Sequence, residues 1–193
     1  MYHELPCSAS FWLFLFSIDQ DLAESARQRM CSCGGRLHRA DYPRKPRGGP
    51  DDLPIEYQRR FSFCCEREGC RKRMTPASVR FLGRKVYLAA TVILISAMRQ
   101  GPTPRRVREL CKLSGADRRT ISRWLLFWRE HFPQTPFWKV ARGRLVPVVA
   151  IVTLPLSLLE AFSRTGDACQ DWGRLLKFLS PITITGGSAI ETF

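Results

Sequence analysis

Apolar residues recur along this chain with changing period, and each change marks a predicted element. Over residues 10–29, Trp12, Leu15, Phe16, Leu22, Ala23 and Ala26 fall at helical spacing and Ser10 can cap the start, so a helix is predicted. Gly34–Gly35 ends that pattern. Residues 36–54 are rich in Pro, Gly and Arg, as in Tyr42-Pro-Arg-Lys-Pro-Arg-Gly-Gly-Pro50, which excludes a helix and predicts an exposed loop. Phe61 and Phe63 alternate, predicting a short strand over residues 57–64. A second strand is expected over residues 73–81, interrupted by Pro76.

A helical period returns at residue 85. Residues 85–99 are apolar almost all round, the pattern of a buried helix. Thr103 and Pro104 suit the start of a second helix, which turns Val107, Leu110 and Cys111 inward and stops near Ser114–Gly115. Asp117 caps a third, predicted over residues 118–131. Residues 133–147, with Pro133, Pro136 and Pro147, read as a linker. Short helices are expected at 156–162 and 167–179, and residues 183–193 have no helical pattern. These elements predict an α+β protein with four parts: an N-terminal helix (1–30), a small cysteine-bearing ribbon with its Pro/Arg/Gly-rich loop (31–84), a helical domain (85–132), and a linker with C-terminal helices (133–193).

Charge changes this picture. The net formal charge is +14, and the excess is confined to the middle of the chain. Residues 36–84 carry thirteen basic and six acidic side chains, and residues 85–144 carry thirteen and three, whereas both ends are slightly acidic. A localised positive field suits a polyanion, and most of the cations are Arg, whose planar fork grips phosphate and guanine edges in two places. The longest apolar run, residues 86–98, falls short of the ~20 residues a membrane-spanning helix needs. The run 11–16 is too short for a signal peptide and lacks a basic flank, so the expected location is cytoplasmic, with no membrane partner.

Five of the eight cysteines fall in two clusters: Cys31-Ser-Cys33-Gly-Gly, and Cys64-Cys65-Glu-Arg-Glu-Gly-Cys70. Two close pairs separated by a long loop suit a structural zinc site, each pair closing one knuckle of a zinc ribbon. Cys31, Cys33, Cys65 and Cys70 are the expected ligands. Cys65 is preferred to Cys64 because it shares a strand face with Phe63; Cys64 or His38 remains an alternative ligand. Four protein ligands leave no open position, so the ion would be structural. Cys7, Cys111 and Cys169 are isolated and read as ordinary thiols.

The second and third predicted helices are joined by Leu113-Ser-Gly-Ala-Asp117, a turn of helix-turn-helix length. Ile121, Trp124, Leu125 and Trp128 define one buried face of the third helix, with both tryptophans in the core. Arg118, Arg119, Ser122 and Arg123 then face elsewhere, where the N-terminal part of a recognition helix meets base edges. Arg105, Arg106 and Arg108 on the preceding helix would lie near phosphates. The expected partner is double-stranded DNA. A homodimer is a further expectation, resting on the apolar residues Trp12, Phe16, Leu156, Leu158 and Leu159.

These motifs, spanning roughly residues 31–131, resemble the N-terminal region of many insertion-sequence transposases. Cys65…Cys70-Arg-Lys-Arg-Met-Thr75 is similar to their second knuckle and the strand after it, and Arg118-Arg-Thr-Ile-Ser-Arg-Trp124 to their recognition helix. The tight first knuckle and the long loop over 34–60 depart from that pattern. The resemblance implies DNA recognition by part of a transposition system or a regulator derived from one. The common transposase mechanism holds two metal ions on three carboxylates of an RNase-H-like domain. The 62 residues of this sequence after His131 are too few for such a domain. Glu160, Asp167 and Asp171 read as solvated helix faces, and no phosphate-binding glycine loop or nucleophile elbow is present. No enzyme activity is therefore expected. The rivals are a transposase subunit or diverged nuclease with its catalytic residues elsewhere, and a module that binds protein or RNA.

Overall fold

The computed structural model describes residues 8–49, 53–82, 87–97, 105, 108, 111–112, 114–146 and 148–184. Over these residues the chain is mixed α+β, mostly helical, with two small antiparallel sheets. The first helix, α1 (Ala9–Gln28), starts two residues earlier than the Ser10 cap implied: the Ser8 hydroxyl accepts from the Phe11 N–H at 3.4 Å. Phe11, Trp12, Leu15 and Ala23 line its buried face.

The stretch predicted as an exposed loop instead contributes two strands. Strand β1 (Leu37–Arg39) pairs with β4 (Phe63–Cys65), placing Leu37 opposite Cys65, and β4 pairs with β5 (Arg73–Met74). Strand β2 (Tyr42–Pro43) pairs with β3 (Arg59–Arg60) in a second sheet. Pro43 is tolerated because the missing N–H falls on a two-residue strand with only one neighbour. The strand expected over 57–64 is thus broken. Ile55–Gln58 is a 3-10 turn, and β3 and β4 belong to different sheets. The strand expected over 73–81 is regular only across Arg73–Met74, since the residues from Pro76 onward turn to meet α1.

The remaining helices build the main core. Helix α2 (Ala89–Ser96) is buried on every side except at Leu94, as its uniform apolarity requires. Helix α3 (Arg118–Leu126) runs into a π-helical turn (Phe127–His131) and a 3-10 turn (Phe132–Gln134). The predicted linker is itself folded. Pro136 occupies the first turn of α4 (Pro136–Ala141), and the Thr135 hydroxyl accepts from the Trp138 N–H at 3.1 Å while donating to the Phe132 carbonyl at 2.8 Å. Proline at the first helical position starts a helix rather than breaking one. Trp138 and Phe132 are wholly buried, with ring centroids 5.1 Å apart. Helices α5 (Leu156–Phe162) and α6 (Ala168–Leu179) close the fold, with Asp167 capping α6 by accepting from the Gln170 N–H at 3.1 Å.

Asp171 corrects another expectation. It is buried, accepting from the Thr165 hydroxyl at 2.8 Å and from the Arg174 guanidinium at 2.6 Å. Trp12, Leu158 and Leu159, which had prompted the dimer, are buried within the chain, and Phe16 and Leu156 pack on the same core. Among the described residues, no helix is long and apolar enough to cross a membrane.

A charged hub joins the helical core to the sheets. The Asp19 carboxylate accepts from the Ser78 hydroxyl (2.6 Å), the Val79 N–H (2.6 Å) and Arg80 Nε (2.7 Å). Arg80 also donates to the carbonyls of Tyr57 (3.2 Å) and Arg59 (3.0 Å). Rings of Phe16, Tyr57, Phe61 and Phe81 surround its guanidinium at 4.8 to 5.3 Å. Both side chains have no exposure, so the hydrogen bonds and aromatic faces replace the water they have lost.

Candidate metal centre and basic surface

The cysteine clusters meet where β1 leaves the first knuckle and β4 enters the second. The Sγ atoms of Cys31, Cys33, Cys65 and Cys70 all lie within 4.8 Å of one another, a group that could hold a metal ion. The shortest contacts cross between knuckles: Cys31 to Cys70 at 3.7 Å and Cys33 to Cys65 at 3.4 Å. Cys64 stands outside the group, its thiol donating to the Arg71 carbonyl at 3.4 Å. His38 is exposed and contacts Glu66 at 3.3 Å. Of the alternatives left open by the sequence, the structure gathers Cys65 and leaves Cys64 and His38 aside.

Local backbone chemistry explains the convergence. Cys31 N–H donates to Gly35 O at 2.9 Å and Gly34 N–H to Cys31 O at 2.7 Å, closing the first knuckle with Gly34 in the left-handed region at φ 79°. Gly35 is required by space, since a β-carbon there would sit 2.7 Å from Cys65 Sγ. In the second knuckle, Cys70 and Arg71 N–H groups both donate to the Arg67 carbonyl, and Arg71 takes a positive φ of 43°. Two side chains that the sequence did not single out latch the knuckles together. Arg67 donates to the Cys33 carbonyl, and the Glu66 carboxylate accepts from the Arg36 N–H at 2.9 Å. The thiols differ in acidity. A hydrogen bond from the Cys33 backbone lowers Cys31 to about 6, and burial pushes Cys65 up to about 12.

The second candidate region begins at Gly115, which has φ 64° and follows the helical Ser114. Asp117 caps α3, accepting from the Thr120 N–H at 2.7 Å. Ile121, Trp124 and Trp128 are buried as expected, Leu125 is half-buried, and Tyr87 packs edge-on against Trp124 at 5.0 Å. Arg118, Arg119, Ser122 and Arg123 are exposed and line an open depression with Asp117. Arg123 donates to the Thr120 hydroxyl at 3.0 Å; the guanidinium groups of Arg118 and Arg119 have no partner among the described residues. Arg105 and Arg108 are helical and exposed. Arg106, most other residues of the second predicted helix, and Cys7 lie outside the described residues. Cys111 and Cys169 are half-buried against the core.

Comparisons with protein-family models, with curated proteins and with solved structures returned no match.

Proposed function

We propose that this chain is a zinc-stabilised, sequence-specific binder of double-stranded DNA, of the kind that recognises DNA in a transposition system or in a regulator derived from one. The observation that carries the reading is the beginning of α3. One side is locked into the core by Ile121, Trp124 and Trp128, and the other offers Arg118, Arg119, Ser122 and Arg123 to solvent. A helix fixed along its apolar stripe presents its first turn rigidly, which is what reading base edges in the major groove demands. With the helical residues before Gly115 it would form a helix-turn-helix.

The cysteine group supports a structural zinc ion. Four thiolates about 2.3 Å from a tetrahedral ion are about 3.8 Å apart, close to the 3.7 and 3.4 Å contacts between the knuckles. Zinc bound by Cys31, Cys33, Cys65 and Cys70 would supply folding energy and no reaction chemistry. A site of free thiolates fits a reducing compartment such as the cytoplasm.

The test is selection of duplexes from a random pool, followed by anisotropy titration at several salt concentrations. A preferred duplex should emerge, and affinity should fall with salt by about 0.9 in log–log slope for each phosphate neutralised. Arg119→Ala should relax the preference at one position, costing about 1–3 kcal/mol against the best site, while the protein stays folded. Equal affinity for single-stranded RNA, or no duplex binding in dilute buffer, would refute the proposal.

A further inference from the structure

The Pro/Arg/Gly-rich segment reads from sequence as a free loop, yet part of it is docked beside the turn that leads into α3. The Arg44 N–H donates to the Gln58 carbonyl at 2.6 Å, and its guanidinium lies 5.5 Å from the centre of the Phe81 ring. Further on, the Arg47 carbonyl accepts from the Leu88 N–H at 3.0 Å, and Arg47 and Tyr87 pair in a parallel bridge. The Thr91 hydroxyl donates to the Gly48 carbonyl. Gly48 has φ 78°, and a β-carbon there would lie 3.0 Å from Thr91 Cγ2 and 3.6 Å from the Ser114 carbonyl. At Gly49 a β-carbon would collide with Leu88 Cδ1. The segment is therefore pinned by its backbone at both ends. Pro46 stiffens the middle by fixing its own φ.

Between the pins stand Lys45 and Arg47, both exposed and with no side-chain partner among the described residues. Their position is fixed relative to α3 through shared neighbours. Gly48 lies beside the Ser114 carbonyl, 3.6 Å from where its β-carbon would be, and Tyr87, which pairs with Arg47, donates to the Gly115 carbonyl at 3.4 Å and packs on Trp124. Ser114 and Gly115 lead into α3, so the segment lies beside the start of that helix. Exposed cations held beside a reading helix suit the phosphate backbone at the groove's edge.

We infer that Lys45 and Arg47 form a pre-positioned phosphate clamp, a second contact that sets the register of α3 on duplex DNA. The inference rests on the DNA-binding reading above. Because the segment is already ordered, gripping the backbone costs little of the ordering entropy that a free arm would lose. The clamp carries no base information; it fixes orientation.

The test compares the full chain with the double variant Lys45→Ala/Arg47→Ala and with Thr91→Val, all checked for folding by circular dichroism. The double variant should lose affinity for every duplex by the same factor and keep its sequence preference. Its salt slope should be shallower by about 1.8, so its deficit relative to wild type shrinks about twelvefold between 50 and 200 mM salt. Thr91→Val keeps both charges and releases one pin, and should weaken binding without changing the number of phosphates neutralised. A double variant with the wild-type slope overturns the clamp while leaving DNA binding intact. Wild-type affinity in Thr91→Val overturns the claim that the segment must be held in place. Absence of duplex binding by the wild-type chain sinks the underlying reading instead.

Discussion

Residues 31–74 and residues 87–182 are held in shape by different physics. The helical region surrounds a continuous apolar core in which Trp124, Trp128, Phe132, Trp138, Leu158 and Leu175 are buried among one another and against α1. The sheet region has a core of Ala23, Leu37, Phe61 and Phe63, flanked by half-buried neighbours. A small apolar cluster offsets only part of the conformational entropy lost on ordering such a unit, although Tyr57 also anchors it in the main core. Small units of this kind are stapled by sulfur or metal. The four converging cysteines could hold a metal ion, which in the proposed function is that staple, and the Asp19–Arg80 hub is the joint between the two regions. The difference teaches where each region can fail. One depends on burial spread over many side chains, the other on a few atoms.

Metal removal should break this comparison most visibly. Structural zinc sites carry roughly 10–16 kcal/mol of apparent binding energy at neutral pH, and that energy is folding energy. With zinc held as proposed, a chelator, or replacement of Cys70 by Ala, should unfold the sheet region and leave the helical core standing. Amide hydrogen exchange reads this directly. Protection at β1, β4 and β5 should collapse towards that of an unfolded chain, while α2 and α6 keep theirs. Sheet amides as protected without metal as with it would mean that the small apolar cluster suffices, and the contrast drawn above would be wrong.

The joint comes next in size. Arg80→Met removes one partner of a wholly buried ion pair and leaves the Asp19 carboxylate facing Ser78 and Val79 alone. Breaking such a pair typically costs about 3–5 kcal/mol, because the stranded charge has no solvent. Urea denaturation should report a loss of that order, and the double variant Asp19→Leu/Arg80→Met should recover part of it. A loss under about 1 kcal/mol for Arg80→Met would show that the hub is relieved by water and does not couple the regions.

The two regions also differed in how well the sequence disclosed them. The helix over 156–162 was readable from its apolar period alone, and α3 and the helix from Asp167 because apolar period and cap agree. The cysteine group was readable to the residue, through the alternation that puts Cys65 and Phe63 on one strand face. Strands β1 and β2 were not, because two- and three-residue strands leave no periodicity; long-range pairing to Cys65 and Arg60 creates them. The linker error arose from reading Pro136 as a breaker when Thr135 before it made it a helix start. The hub did leave a trace. Asp19 lies four residues after Leu15 and four before Ala23, a carboxylate on the apolar stripe of α1, and such a residue demands a buried partner. Nothing local in the sequence named Arg80 as that partner among so many arginines, since the choice depends on four aromatic rings drawn from distant segments.

The smallest expected effect sharpens the helical side. Asp117 is an anion set among Arg118, Arg119 and Arg123 at the start of α3. Hydrogen bonds from Thr120 hold its carboxyl below the ordinary value, helped by the nearby Arg123 guanidinium and opposed by partial desolvation. A depressed carboxyl contributes stability that is present above its unfolded pKa of about 3.9 and is lost as pH falls through the folded value. Asn caps a helix as well as Asp and does not titrate there. Asp117→Asn should therefore match the wild-type melting temperature near neutrality and lack the wild type's small additional loss in acid, measured by thermal melts across the carboxylate range. On duplex DNA the same variant should bind slightly more tightly, because one repulsive charge has left the surface that would meet phosphate. Weaker binding would give Asp117 a different role. Thr120 bonds to both Asp117 and Arg123, so a weakened variant would mean that the carboxylate aims Arg123 through Thr120, and that aim outweighs the repulsion.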